Sequence, residues 1–276
     1  KNVLLKKSLN LLSKFVFDLP FNTIFGFILN NCFEKIKYAK YIIATTNSLG
    51  FALSFAKKIG LIKSKILFIN MGLFPKKPNK LKVIFYKYLF KKIKLLTISK
   101  TEDNFLKSHL CNIDIDYVPF GVDSNFWFPQ KKLKTEKYAL AIGNDLNRDW
   151  SILIDSWDEE FPMLKIITSL PIKNKKPNIT ILRGNWHTQS LTDLEIRELY
   201  RNSEFVILPL KETFQPSGQS TCLQAMACSK AVLISNIYGI WDKKLLKHKE
   251  NIIFTKPGDV NDMRKSIDLL FRNLKL

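Results

Sequence analysis

Residues 204–236 constrain the chain more than any other stretch. Two apolar runs rich in β-formers, 205–208 and 231–234, stand either side of a polar loop and a segment of small and apolar residues at 220–228, and Pro209 stops the first run. Runs this short read as buried strands, and a helix between two of them is the connection that parallel neighbours require. The stretch therefore predicts a β-α-β unit within a parallel sheet.

The same beat recurs along the chain. Helical spacing of Leu, Ile and Phe marks residues 3–17 and 21–39. After these come a strand at 41–45, a helix to 59 with Thr46-Asn47-Ser48 as its cap signal, a strand at 65–69, a helix at 81–92, a strand at 95–98, a helix capped by Ser99 or Thr101, and a strand at 113–119. Gln130 to Lys137 is polar and lysine-rich and reads as a hinge. Beyond it lie strands at 138–142, 165–168 and 179–182, a helix opened by the capping box of Thr192 and Glu195, the 204–236 unit, a strand at 251–254 and a helix at 260–271. Strands alternating with helices give the α/β class, as two Rossmann-like doubly wound parallel-sheet domains at 1–129 and 138–276, joined by the hinge at 130–137. The first domain is expected to be incomplete at its N-terminal side.

Pro216, Ser217, Gly218, Gln219 and Ser220 fall where the strand hands over to the helix. The first N–H groups of a helix lack intrahelical partners, Gly218 permits close approach to the backbone, and Ser217 or Ser220 can cap. Such an end is a ready site for an anion. Taken alone, the five residues read better as a capped helix that binds nothing.

The order of residues around the loop changes that weighing. Pro209, Glu212-Thr213-Phe214, Leu223-Gln224-Ala225-Met226-Ala227 and Lys230-Ala231-Val232 together resemble the donor-binding segment of retaining glycosyltransferases of family 4, the glycosyl transferases group 1, whose fold is GT-B. The sequence VPFGVDSNFWFP at 118–129 resembles the turn that ends that family's first domain, and Pro-Gly-Asp at 257–259 is similar to its approach to a late helix. The resemblance spans residues 41–276 and is strongest after Val118.

Of the family's two glutamates seven residues apart, the second, a ribose ligand, is Gln224 here. The first is either Pro216 or, if 215–218 is an insertion, Glu212. Glutamine still offers an acceptor and adds a donor. Gly143-Asn144 stands where the family has Gly-Arg, and Arg148 fits the basic residue that follows and grips the donor diphosphate. The resemblance thus implies a hexosyltransferase-type enzyme that moves a sugar from a nucleotide-diphosphate sugar to an acceptor hydroxyl, with retention and with no metal or other cofactor. By the same resemblance Glu212 and Arg148 would be catalytic, and Gly143, Asn144, Arg148, Ser217, Gly218, Gln219, Ser220 and Gln224 would bind the donor. The acceptor would be a glycan or a lipid-linked chain, in cell-envelope polysaccharide or glycolipid synthesis. Where some members place a histidine, either Asn70 or a missing N-terminal segment is expected, and the family's first strand and glycine-rich turn are expected to have no counterpart.

Lysine is unevenly distributed. Residues 1–132 hold 23 Lys and 7 acidic residues, net +16; residues 133–276 hold 21 Lys plus Arg and 17 acidic residues, net +4, and the two make the +20 of the whole chain. The excess has two readings of similar weight: a face turned to anionic lipid or a phosphate-bearing acceptor, and the Lys, Ile, Asn and Phe bias of an A/T-rich gene. The basic residues lack the aromatic and glycine patterns of a nucleic-acid reader, so no nucleic acid is expected.

Cys32, Cys111, Cys222 and Cys228 form no C-x-x-C pair and are expected to be buried thiols in a reducing compartment. Asp18, Pro20, Asn22, Asn30 and Asn31 break the apolar run at 15–33, a poor transmembrane helix. The expected location is cytoplasmic, peripheral on the inner face of the membrane. Asp114 and Asp116 read as alternation along a strand, with no metal, and His109, His187 and His248 as structural or exposed. Two competing readings stand beside the enzyme. Asn144 and Gln224 motivate a binding-only homologue, while a nucleotide-sugar epimerase of the same fold would need carboxylates and histidines that the sequence does not assemble.

Overall fold

The computed structural model describes residues 19–130, 137–183 and 191–273. The chain divides into two compact units, Lys1–Pro119 and Phe120–Leu276. The helix expected at 3–17, most of the hinge at 130–137, and His187 lie outside the described residues.

In the first unit β1 (Tyr41–Ala44), β2 (Lys65–Asn70), β3 (Lys94–Thr97) and β4 (Asp114–Tyr117) form a parallel sheet in that order. Its helices are α1 (Phe21–Leu29), α2 (Asn47–Lys58), α3 (Lys80–Phe90) and α4 (Lys100–His109). Side-chain oxygens of Thr46, Asn79 and Ser99 each accept from an amide three residues on and so start α2, α3 and α4. The helix expected over 21–39 stops at Leu29. Asn31 takes the left-handed conformation, φ 51°, and a short 3-10 turn follows at Cys32–Lys35. Among the described residues one core lies on one face of the sheet, where Ala44, Phe68, Leu95 and Ile115 meet Phe51, Phe90 and Leu106 from the helices. Intervening strand residues turn to the other face, and there Tyr41 and Ile43 are each 61% exposed.

The second unit holds β5 (Tyr138–Ile142), β6 (Met163–Ile167), β7 (Ile179–Leu182), β8 (Phe205–Leu208), β9 (Ala231–Ser235) and β10 (Ile253–Thr255), all parallel, in the order β10-β9-β8-β5-β6-β7. The sheet grows one way from β5 to β7 and the other way from β8 to β10, so the order reverses between β5 and β8. Its helices are α5 (Trp150–Ser156), α6 (Asp193–Asn202), α7 (Gln219–Ala227) and α8 (Val260–Asn273), and the capping box of Thr192 and Glu195 opens α6. Every residue of β5 and β8 is buried, because each face carries a core. Leu140, Leu208 and Val232 pack with Tyr200 and Ala225 on one side, and Ala141, Ile207 and Leu233 pack with Trp157 and Ile267 on the other.

The thiols divide in two pairs. Cys222 and Cys228 are buried as expected, but Cys32 and Cys111 are exposed. These two sit in a surface turn and just past the end of α4, where the local backbone faces water. Among the described residues no helix is long and apolar enough to cross a membrane.

Candidate functional site

Where strand order reverses, the loops leaving two neighbouring strands part toward opposite faces and open a crevice at the carboxyl ends. At the β5–β8 reversal those loops carry residues 143–149 and 209–218. Backbone bonds stitch them together: Asp149 N donates to Pro209 O at 2.9 Å, Lys211 N donates to Asn147 O at 2.8 Å, and Arg148 bridges to Leu210.

Arg148 lies at the centre, only 4% exposed. Its Nε donates to Ile142 O at 3.2 Å and its Nη1 to Ser217 Oγ at 3.4 Å. The same Nη1 pairs with the Asp145 carboxylate at 3.0 Å, and Ser217 Oγ donates to the other oxygen of Asp145 at 3.0 Å. Two glycines make the room. A Cβ on Gly143 would fall 2.1 Å from Arg148 Nε, so the guanidinium lies directly across that backbone. Gly218 has φ 76°, and a Cβ there would meet Leu208 at 3.0 Å and Arg148 Nη1 at 3.5 Å.

Gly218 is also the N-cap of α7, and no side chain caps that helix. Cys222 N closes its first turn on Gly218 O at 2.9 Å. The positive amino end of α7 and the Arg148 cation therefore stand together. Burial lowers the Arg148 pKa from its ordinary value, with Asp145 opposing it only in part, and a guanidinium keeps its charge throughout. Nε and Nη1 both have protein acceptors, which makes Arg148 a fixed positive charge beneath the loop more than a two-pronged grip.

The remaining expected residues fall in separate places. Asn144 Oδ1 accepts from Thr168 Oγ1, Ser169 N and Ser169 Oγ at 3.3, 2.6 and 3.1 Å, fastening the chain beyond β6. Gln224, half-buried on α7, accepts at Oε1 from Tyr200 OH at 3.3 Å. Burial raises the Tyr200 pKa well above the ordinary phenol value, so this hydroxyl remains a donor. Gln219 is buried and Ser220 exposed on the first turn of α7. Glu212 belongs to a different set of contacts: it is exposed and accepts from Tyr238 N at 2.7 Å, beside the Phe214 and Tyr238 rings, whose centroids are 4.1 Å apart.

Sequence reasoning missed Asp145 and Tyr200 as parts of this arrangement. Asp145 carried a signal, a carboxylate three residues before an arginine in a turn, whereas Tyr200 showed only its place in the α6 pattern. Asp114 and Asp116 both pair with Lys94, at 3.8 and 2.6 Å. Among the described residues no group of three His, Cys, Asp or Glu gathers as a metal site would require.

The family Glycosyl transferases group 1 matches residues 173–273, from just before β7 to the end of α8. No curated protein matches the chain. Solved structures do: a glycosyltransferase from Rickettsia africae ESF-5 is similar at a TM-score of 0.66 and 15% identity, over 92% of this chain and 72% of that one. Anabaena Alr3699/HepE in complex with UDP and glucose gives a TM-score of 0.69 at 13% identity, over 89% and 72%. WaaG, a glycosyltransferase involved in lipopolysaccharide biosynthesis, gives 0.54 at 12% identity, over 83% and 74%. By fold the chain is similar to these glycosyltransferase structures, and within it residues 173–273 match the glycosyl transferases group 1.

Proposed function

We propose that this chain transfers a sugar from a nucleotide-diphosphate sugar to an acceptor hydroxyl, with the donor diphosphate held at the β5–β8 reversal. The observation that carries this reading is the meeting of Arg148 with the amino end of α7 at that place. Transfer breaks the bond between the anomeric carbon and a phosphate oxygen and puts negative charge on the departing diphosphate. Amides and a cation already in position stabilise that charge most in the transition state, where it develops. In this reading they supply the counter-charge, and the reaction uses no metal or further cofactor. Gln224, its Oε1 engaged by Tyr200, offers its amide N–H groups to the ribose, and Glu212 stands at the sugar end. Retention of configuration is supported only by the resemblance around 209–232.

The bound UDP and glucose of Alr3699/HepE and the lipopolysaccharide role of WaaG support a nucleotide-sugar donor and a glycan or lipid-linked acceptor, in cell-envelope synthesis at the inner face of the membrane. The lysine excess of the first unit fits an anionic surface there. Asn144, which replaces a family arginine and is engaged with residues 168 and 169, favours a second reading, a homologue that binds donor without turning it over.

Titration calorimetry with UDP, GDP and the matching nucleosides, followed by turnover assays with UDP- and GDP-sugars, tests both. Transfer or slow donor hydrolysis supports the enzyme, and binding without turnover supports the second reading. Failure to bind any nucleotide removes both. Arg148→Ala should weaken diphosphate binding by about 2 kcal/mol, or roughly thirtyfold in Kd, while nucleoside binding stays unchanged. Because Arg148 is buried, its thermal unfolding is compared with that of Arg148→Lys. Equal diphosphate affinity for wild type and a folded Arg148→Ala would take the arginine out of the site.

A further inference from the structure

A cavity of about 760 Å³ opens at the amino ends of the first sheet, lined by residues of the first unit alone. Tyr41, Lys65, Lys94 and Asp114, the opening residues of β1, β2, β3 and β4, all stand in its wall. Open α/β sheets hold their substrates at the carboxyl ends, so this is the end of the sheet that reaction chemistry does not use.

The lining is of two kinds. Tyr41, Ile43 and Leu67 share the open face of the sheet and give an apolar floor, while Lys57, Lys65, Lys91, Lys92 and Lys94 stand around it. Asp114 is the one acid in the wall, and with Asp116 it is already taken by Lys94. No Asp or Glu occurs between Glu34 and Glu102, and among the described residues the other four lysines pair with no acid. Lys57 Nζ donates to Lys63 O at 3.2 Å and to Ser64 O, which holds it in place. Burial, and then Lys92 beside it, lower the Lys57 pKa, so two cations lie within range of mutual repulsion. Lysines at helix carboxyl ends answer the helix dipole, which accounts for Lys57 and Lys91 but not for Lys65 on β2. A second recess, of about 140 Å³, shares Lys57, Lys91 and Lys92 with the first and gives room for the charged end of a ligand.

The two kinds of lining select the ligand. Several unanswered lysines suit a head with two or more negative charges, such as a pyrophosphate. The floor suits a flat apolar body, since the Tyr41 ring is 61% exposed on a flat sheet face. Inorganic phosphate would leave that floor unmet, and a sugar phosphate would set hydroxyls against Ile43 and Leu67. A nucleoside di- or triphosphate has both parts, and the cavity has the volume of a small-molecule site.

We propose that this cavity binds a nucleoside di- or triphosphate as an effector, with the base against Tyr41 and the phosphates among Lys57, Lys91 and Lys92. The site goes beyond the donor reading and does not rest on it, since none of its residues belongs to the second unit.

Fluorescence titration of the full chain with ADP carrying an N-methylanthraniloyl group on its ribose tests it. The wild type should bind the labelled ADP, more weakly as salt rises, and unlabelled ADP and ATP should displace it. Adenosine and inorganic pyrophosphate should each compete at least roughly tenfold more weakly, because each meets only one part of the site. Lys91→Gln with Lys92→Gln should weaken binding roughly thirtyfold, and Tyr41→Ser roughly tenfold. These three side chains are exposed, so thermal unfolding without nucleotide should hardly change. Arg148→Ala should bind the labelled ADP as the wild type does. Failure of the wild type to bind it overturns the proposal, as does unchanged affinity in either cavity variant. Pyrophosphate competing as well as ADP overturns it too, and so does binding that only Arg148→Ala abolishes, which would put the nucleotide in the donor site. UDP titration of the cavity variants reads the donor site separately, so failure of this site and failure of the donor reading are told apart.

Discussion

The two sheets obey one connection rule and differ in the order in which their strands are laid down. In the first unit β1 to β4 follow in sequence and, among the described residues, a single face carries a core; in the second unit the order reverses between β5 and β8, and both faces are packed. The carboxyl ends differ accordingly. At the end of β2 and just beyond it, Asn70 Nδ2, Gly72 N and Leu73 N all donate to the Glu102 carboxyl, at 2.8, 3.2 and 2.7 Å. The first unit thus meets its loop amides with an anion of its own. At the reversal in the second unit, the amino end of α7 is backed by a cation, Arg148. In the first sheet a buried acid takes up the loop amides themselves, whereas in the second the half-exposed Asp145 takes up the cation and Ser217 and leaves the amino end of α7 without a side-chain cap.

Ile207→Asp should break the comparison most severely. Its side chain is fully buried between packed strands, and an unpaired carboxylate there should cost more than about 4 kcal/mol and abolish folding of the second unit, as circular dichroism would register.

Glu102 comes next. Burial raises its pKa from 4.5 to about 7, with its hydrogen bonds from Leu73, Asn70 and Gly72 pulling the other way. Between those two values the folded chain binds the proton more readily than the unfolded chain does. Stability is therefore full at the acid end of that window and falls as pH rises through it, by up to roughly 3 kcal/mol. Thermal unfolding from pH 4.5 to 8 should show that decline in the wild type and a flatter profile in Glu102→Gln. A stability that climbs over the same range would mean that the three hydrogen bonds outweigh burial.

Gly143→Ala sharpens the account of the reversal. Its methyl would displace the Arg148 side chain, at about 1–3 kcal/mol of stability, and diphosphate affinity should fall with it. Retained affinity would show that the guanidinium need not lie across residue 143. Smallest of all should be Ile43→Asp on the open face of the first sheet, within about 0.5 kcal/mol of wild type by urea unfolding. A large loss there would mean that the face is covered in solution.

Much of this architecture was legible in the residues because its causes are local. The capping box of Thr192 and Glu195 spans three positions, and the strands announce themselves in runs such as 138–142 and 205–208. Asn30 and Asn31 were a similar local signal, overridden in the reading that carried a helix to residue 39. The candidate site was legible only in pieces. Ser217 stands 69 residues from Arg148, and Tyr200 stands 24 from Gln224. Arg148 meets Ser217 because β5 and β8 are neighbours, and Tyr200 meets Gln224 because α6 and α7 pack in one core on the same side of the sheet; both are properties of the whole sheet that no short motif spells out. The depth of Arg148 was hidden for the same reason, since it depends on what Gly143 and the distant Gly218 together leave vacant.

The stitching of residues 147–149 to 209–211 sets a rule for any redesign of ligand preference. Lengthening one turn by a residue would drag the other out of register, so neither can drift in size as an ordinary surface loop does. The two segments would have to be exchanged together, as one cassette, for a graft from another protein to seat its cation under its own glycine.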